Sequence, residues 1–201
     1  MNFLLRVGAY ILHPLLMPLI GVIIYYYSTP RFVELPFIQA KVLAVLILTV
    51  LIPLILFFLL KNLGVIDSIH LSKVKERIMP LIIQIVLLVL IVKIVFNVFD
   101  SPEMYYFFIG ILFSTSTALV LAFFKIKASL HQMGIAGVTM FLIALSIHFE
   151  INLLLWIALF LIGNGWVATS RLHTTSHTMP ELIVGFFIGV IPQLLMVNFW
   201  L

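Results

Sequence analysis

Apolar residues run in seven long stretches along the chain, and short groups of polar residues separate them. A transmembrane helix needs about 20 largely apolar residues, and helices satisfy their own backbone hydrogen bonds inside a bilayer. The pattern therefore predicts an all-α, multi-pass membrane bundle of six to seven transmembrane helices. The approximate bounds of the stretches are 8–27, 42–60, 80–98, 104–124, 132–149, 151–168 and 181–200.

The composition is that of a chain lying almost entirely in the bilayer. Of its 201 residues, 64% are hydrophobic and only 9% are charged, whereas soluble domains carry about 25% charged residues. A soluble enzyme, a nucleic-acid-binding protein and a disordered tail are therefore excluded. Since the connections between stretches are short, residues 1–201 are expected to form a single transmembrane domain. The expected location is the cell (inner) membrane. The chain has no cysteine, which excludes disulfides and thiolate chemistry.

Cationic residues gather on one face of the predicted bundle. Consecutive spans cross the membrane in opposite directions, so alternate connections share a face. Side A comprises the N-terminus and residues 61–79, 125–131 and 168–180. Side B comprises residues 28–41, 99–103 and 149–152 and the C-terminus. Side A holds eight of the eleven lysines and arginines: Arg6, Lys61, Lys73, Lys75, Arg77, Lys125, Lys127 and Arg171.

Two interpretations of this asymmetry stay open. The positive-inside rule accounts for it by placing side A in the cytoplasm. That rule gives no reason for histidines to gather there as well, whereas an anion site explains both residue types. Because cations that bind an anion also bias the count, the orientation of side A is left open. The histidines on side A are His70, His131, His173 and His177.

The most informative polar segment is 170–181. Thr178 followed three residues later by Glu181 is a capping-box pattern, which predicts that the last helix begins here. His177 then lies just outside a helix N-terminus, where backbone N–H groups favour an anion. Arg171 offers a fork of donors that matches phosphate oxygens. Glu181 can fix the tautomer of His177, which suits nucleophilic attack on a phosphoryl group.

Two further segments on side A carry similar chemistry. In the first, Lys127, Ser129 and His131 combine a cation, a hydroxyl and a candidate proton donor. The second is a basic run with Lys73 and Arg77 just before the third span. Taken alone, basic segments of this kind are typical of sites that bind anionic lipid head groups.

Together, these segments resemble the type-2 phosphatidic acid phosphatase superfamily of membrane lipid phosphatases. The third motif of that family is Ser-Arg-x5-His-x3-Asp. Ser170, Arg171 and His177 match it in spacing, with Glu181 at the position of the aspartate. Of the three motifs of the family, only this one is specific by itself.

The other two motifs match less well. The second, Pro-Ser-Gly-His, is represented by Ser129 and His131, with other residues in place of its proline and glycine. The first, Lys-x6-Arg-Pro, has His70 where the lysine is expected, and the proline comes three residues after Arg77. The resemblance covers about residues 67–189.

The resemblance implies hydrolysis of a phosphate or diphosphate head group through a phosphohistidine, without a metal or other cofactor. The implied substrate is a membrane lipid of the phosphatidate, phosphatidylglycerol phosphate, polyprenyl diphosphate or lipid A type. His177 would be the nucleophile, Glu181 its orienting carboxylate and His131 the general acid. The implied phosphate-binding residues are Arg171, Ser129 and Arg77, with Lys73 or Lys127 in the role of the missing lysine.

Three alternatives compete with this hypothesis. His173, His177 and Glu181 are spaced i, i+4, i+8, which on one continuous helix would form a metal-binding stripe, although Pro180 favours a break there. The basic face also suits a carrier or channel for an anionic or phosphorylated solute. A third possibility is a family member that binds lipid without catalysis. Gly185 and Gly189 are expected to be helix-packing positions.

Overall fold

The computed structural model describes residues 7–8, 10–65 and 73–201, and the regular secondary structure in these ranges is helical throughout. Within these ranges, six helices are long and apolar enough to cross a membrane, and one apolar helix is shorter. The predicted all-α, multi-pass architecture is thus confirmed. The helices are α1 (Met17–Ser28), α2 (Leu35–Asn62), α3 (Val74–Val95), α4 (Pro102–Phe123), α5 (Leu130–His148), α6 (Leu154–His173) and α7 (Met179–Val197).

The first predicted stretch, 8–27, is interrupted in the structure. The chain leaves the helical conformation at Leu12 and His13, and α1 begins only at Met17. Pro14 explains the interruption, because proline lacks the backbone N–H and its ring clashes with the preceding turn of a helix.

Two of the side A residues, Arg6 and His70, lie outside the described residues.

Helix α2 begins earlier than predicted, at Leu35, where Pro36 occupies the first turn. Helix α2 also contains a π-helical stretch, Ile47–Leu51.

Helix α5 lies at the centre of the bundle and packs against α1, α6 and, most extensively, α7. Lipid is as apolar as the core, so small residues that allow close contact stabilise helix pairs in a membrane. A Cβ added at Gly185 would lie 2.6 Å from the carbonyl oxygen of Ser129, and one at Gly189 would overlap the carbonyl of Met133. The predicted packing role of both glycines is confirmed, and it holds the start of α7 against the start of α5.

The three polar segments of side A converge at one end of the bundle. Arg77, in the short 3-10 turn Val74–Arg77 at the start of α3, donates a hydrogen bond from Nη1 to the carbonyl oxygen of Ala128 at 2.7 Å. Lys127 donates from Nζ to the carbonyl oxygen of Ser176, also at 2.7 Å. The segments around residues 77, 128 and 176 therefore meet on one face, as the count of spans predicts.

Candidate functional site

The start of α7 is formed as the sequence predicts. The Thr178 side chain and the Glu181 side chain make the two reciprocal bonds of a capping box, with Pro180 in the first turn. The backbone N–H of Thr178 donates to Oε2 of Glu181 at 3.3 Å. The Glu181 carboxylate is thereby held at the helix N-terminus, where the helix dipole favours negative charge.

A tight turn between α6 and α7 brings His177 beside that carboxylate. Thr175 has a φ of 50°, in the left-handed region, which lets the chain reverse direction directly after the helix. The N–H groups of Ser176 and His177 both donate to the carbonyl oxygen of Arg171, at 3.0 and 3.3 Å. Since α6 ends at His173 and α7 begins at Met179, no continuous helix carries His173, His177 and Glu181 as one stripe.

His177 is buried, and its Nδ1 lies 2.7 Å from Oε2 of Glu181. A carboxylate can only accept a hydrogen bond, so Nδ1 carries the proton and Nε2 keeps its lone pair. Burial lowers the pKa of His177 to about 4; the charges of Arg77 and Lys127 also lower it, while the hydrogen bond to Glu181 acts in the opposite direction. The imidazole is therefore neutral at pH 7, and Nε2 can act as a nucleophile.

Two cations flank this pair. Lys127 Nζ lies 4.0 Å from Glu181 Oε2. Arg77 is buried, and its charge acts on both His177 and Glu181. Two positive charges thus surround one carboxylate, which leaves an excess of positive charge around the imidazole.

Ser129 ties the start of α5 to the same place. Its backbone N–H donates to the carbonyl oxygen of Glu181 at 3.1 Å. Its hydroxyl oxygen accepts a hydrogen bond of 3.4 Å from the N–H of Gln132, so Ser129 caps α5. Arg77, Lys127, Ser129, His177 and Glu181 are called the His177 cluster below.

Three of the predicted site residues have other neighbours. The His131 ring makes an edge contact with the ring of His13, with centroids 5.1 Å apart. Arg171 interacts electrostatically with His13 and with Tyr10. The side chain of Lys73 is 70% exposed and forms an ion pair of 3.7 Å with Glu76.

The structure thus divides the predicted residues of side A between two neighbouring groups. Tyr10, His13, His131 and Arg171 are called the His13 cluster below. His13 was not predicted as a site residue, and the signal that could have found it is an ionisable residue inside an apolar stretch beside a proline.

A third polar group lies on side B and was also not predicted. The side chain of Glu103 in α4 is fully buried. It forms ion pairs with Arg31 Nη2 at 2.6 Å and with His148 Nε2 at 3.2 Å. It also accepts a hydrogen bond of 3.2 Å from the hydroxyl of Tyr25. Tyr25, Arg31, Glu103 and His148 are called the Glu103 cluster below. The cluster joins α1, α4, α5 and the α1–α2 connection.

No protein-family model matches the chain. Nor does a curated protein or a solved structure show significant similarity to it.

Proposed function

We propose that this protein is an integral membrane phosphatase that hydrolyses a phosphate or diphosphate head group of a lipid through a phosphohistidine. The observation that carries the proposal is the hydrogen bond of 2.7 Å between His177 Nδ1 and Glu181 Oε2, beside the cations of Arg77 and Lys127. Such a pair supplies a neutral, oriented nucleophile next to a region that attracts phosphate oxygens.

The reaction proceeds in two steps. In the first, His177 Nε2 attacks phosphorus, the bond from phosphorus to the leaving oxygen breaks, and His131 donates a proton to that oxygen. The proton on Nδ1 stays hydrogen-bonded to Glu181, whose charge stabilises the modified ring. In the second step, water attacks phosphorus and gives up a proton to His131. Inorganic phosphate is released, and His177 returns to its neutral form.

Cations hold the phosphate during both steps. Arg77 and Lys127 lie where they can neutralise charge on the non-bridging oxygens, in the way that arginine and lysine serve in other phosphoryl-transfer sites. The hydroxyl of Ser129 is a further donor at the start of α5. Lys73 and Arg171, which the resemblance also implies as phosphate-binding residues, have other neighbours in the structure and are not assigned this role.

The test uses the full chain purified in detergent. Phosphatidate, phosphatidylglycerol phosphate, a polyprenyl diphosphate and phosphorylated lipid A are supplied, and phosphate release is measured with and without EDTA. We expect release from at least one lipid, insensitivity to EDTA, and loss of activity in His177→Ala. The same sample, treated with labelled substrate, should hold label that is stable in alkali and labile in acid. Release that persists in His177→Ala would disprove the phosphohistidine route.

A carrier for an anionic solute is a second candidate function, and one observation favours it. The first apolar segment is interrupted at His13 and Pro14, and interrupted helices form the binding sites of many transporters. Vesicles containing the protein would then accumulate labelled phosphate without hydrolysing any lipid. The phosphatase proposal predicts no such accumulation.

A further inference from the structure

We propose that the His13 cluster is a second anion subsite, which binds the lipid-proximal phosphate of a diphosphate head group while the His177 cluster acts on the terminal phosphate. This inference rests on the proposed function and narrows the substrate class to lipid diphosphates. The ligand is recognised by its two adjacent phosphate groups.

The interruption of the first segment determines which atoms His13 presents. Its Nδ1 accepts a hydrogen bond from the N–H of Leu15 at 3.3 Å. Since that nitrogen serves as an acceptor, the ring proton is on Nε2. The end of the ring that projects away from its own backbone is therefore a hydrogen-bond donor.

Arg171 adds a second donor, its Nε, that has no acceptor in the part of the chain that the structure describes. Its Nε is buried and forms no hydrogen bond with any residue that the structure describes. Within the same described ranges, no carboxylate forms an ion pair with Arg171. Buried donors are nearly always satisfied in proteins, so an arginine Nε that has no acceptor among the described residues, and that lies near His13 and Tyr10, is complementary to an anion.

The His13 cluster adjoins the His177 cluster through one backbone hydrogen bond and one short stretch of chain. The carbonyl group of Arg171 accepts the N–H of His177 itself, and His131 comes two residues after Ser129 on the first turn of α5. A ligand that carries two linked phosphate groups is therefore matched by two donor clusters that share the same backbone segments.

The arrangement also suits the chemistry of a diphosphate. When His177 Nε2 attacks the terminal phosphorus, the bond to the bridging oxygen breaks and its electron pair stays on that oxygen. The leaving group is then a lipid monophosphate, which takes a proton from His131 on the former bridging oxygen, and its remaining negative charge lies beside His13 and Arg171. Water subsequently releases inorganic phosphate from His177. With a phosphomonoester substrate, the His13 cluster would have no anion to bind.

The first experiment compares two substrates with the same polyprenyl tail, a diphosphate and a monophosphate. For the unmodified protein we expect a kcat/KM at least about tenfold higher for the diphosphate. In His13→Asn, the amide oxygen replaces Nδ1 and keeps the bond to Leu15, but the donor at Nε2 is lost. We expect this variant to lose about tenfold on the diphosphate and to lose much less on the monophosphate. An equal loss on both substrates would overturn the subsite.

His173→Asn is the matched control, since it makes the same replacement at an exposed histidine of side A. Both substrates should be hydrolysed within about twofold of the unmodified rate. A selective loss on the diphosphate in this control would also overturn the assignment to His13.

A binding measurement separates this inference from the proposed function. A short polyprenyl methylenediphosphonate, which cannot be hydrolysed at its bridge, should bind the unmodified protein about tenfold more tightly than the matching monophosphonate, and His13→Asn should remove the difference. Preference for the diphosphonate without hydrolysis of any lipid would contradict the phosphatase but support the subsite. Equal affinities would overturn the subsite even in an active enzyme. Inorganic diphosphate should compete weakly; competition as strong as that of the lipid analogue would overturn the assignment to a lipid.

Discussion

The two ends of the bundle hold polar groups of opposite design. On side B, one fully buried carboxylate, Glu103, is surrounded by Arg31, His148 and Tyr25, all within 3.2 Å. On side A, one partly exposed carboxylate, Glu181, is shared by His177 and Lys127, with Arg77 close by. In the first group the charge is enclosed by its partners, and in the second the cations outnumber the acid.

Because of this difference, we expect one cluster to stabilise the fold and the other to bind a ligand. A buried charge is tolerated when donors surround it and becomes costly once one partner is removed, so the Glu103 cluster is expected to hold helices together. A cluster with surplus donors has capacity left for a ligand.

The largest effect is expected from His177→Ala. Removing the proposed nucleophile should lower kcat by at least about a thousandfold, while the unfolding midpoint in detergent changes less than in Glu103→Ala because His177 lies in the connection between α6 and α7. His173→Ala is the control, and it should keep its activity. A variant at position 177 that unfolds much more easily but keeps its turnover would reverse the proposed division.

Glu103→Ala should have the opposite profile. It removes the ion-pair partner of Arg31 and His148 and the hydrogen-bond acceptor of Tyr25, so the free energy of unfolding should fall by about 3 kcal/mol. The fraction that remains folded should hydrolyse substrate at the normal rate. Denaturant titration and turnover per folded molecule measure the two quantities. Full stability with impaired turnover would place a functional role on side B.

Glu181→Gln should have an intermediate effect on activity alone. Glutamine can still form a capping box at this position, so the start of α7 and the stability should persist. The loss of charge leaves the modified His177 ring without its counter-ion, and kcat should fall by about 10–100-fold. A drop in the melting temperature equal to that of Thr178→Ala, which removes the cap itself, would show that Glu181 acts mainly in the fold.

The smallest effect concerns pH. Protonated His177 cannot attack, and its pKa is lowered to about 4, so kcat/KM should decline about tenfold per pH unit below about pH 4 and be insensitive to this group above it. Lys127 disfavours the protonated ring, so Lys127→Met should raise the pKa and move the acid limb to higher pH. A shift to lower pH would contradict the geometry.

The same pKa governs a stability effect whose sign can be worked out. Its ordinary value of 6.5 applies to the unfolded chain, so between about pH 6.5 and 4 the unfolded state binds more protons than the folded state. The contribution of His177 to stability is therefore lost as the pH falls through this interval. His177→Asn should flatten that part of the stability profile.

Local signals in the sequence were sufficient for much of the fold and for part of the site. Apolar length predicts the helices, and Thr178 with Glu181 predicts the start of α7, because a capping box involves only neighbouring residues. Interactions between distant segments had no such signal. Tyr25 and Glu103 are 78 positions apart, and the contact of His13 with His131 depends on how a broken helix packs.

The glycine contact between α5 and α7 also limits how a lipid can reach the site. At Gly185 and Gly189 the two backbones touch with no side chain between them, so an acyl or prenyl chain cannot pass through that seam. The tail of the proposed lipid substrate would therefore remain in the bilayer on another flank of the bundle while its head group enters. The same close contact that holds the start of α7 against the start of α5 would thereby restrict the direction from which the proposed substrate enters.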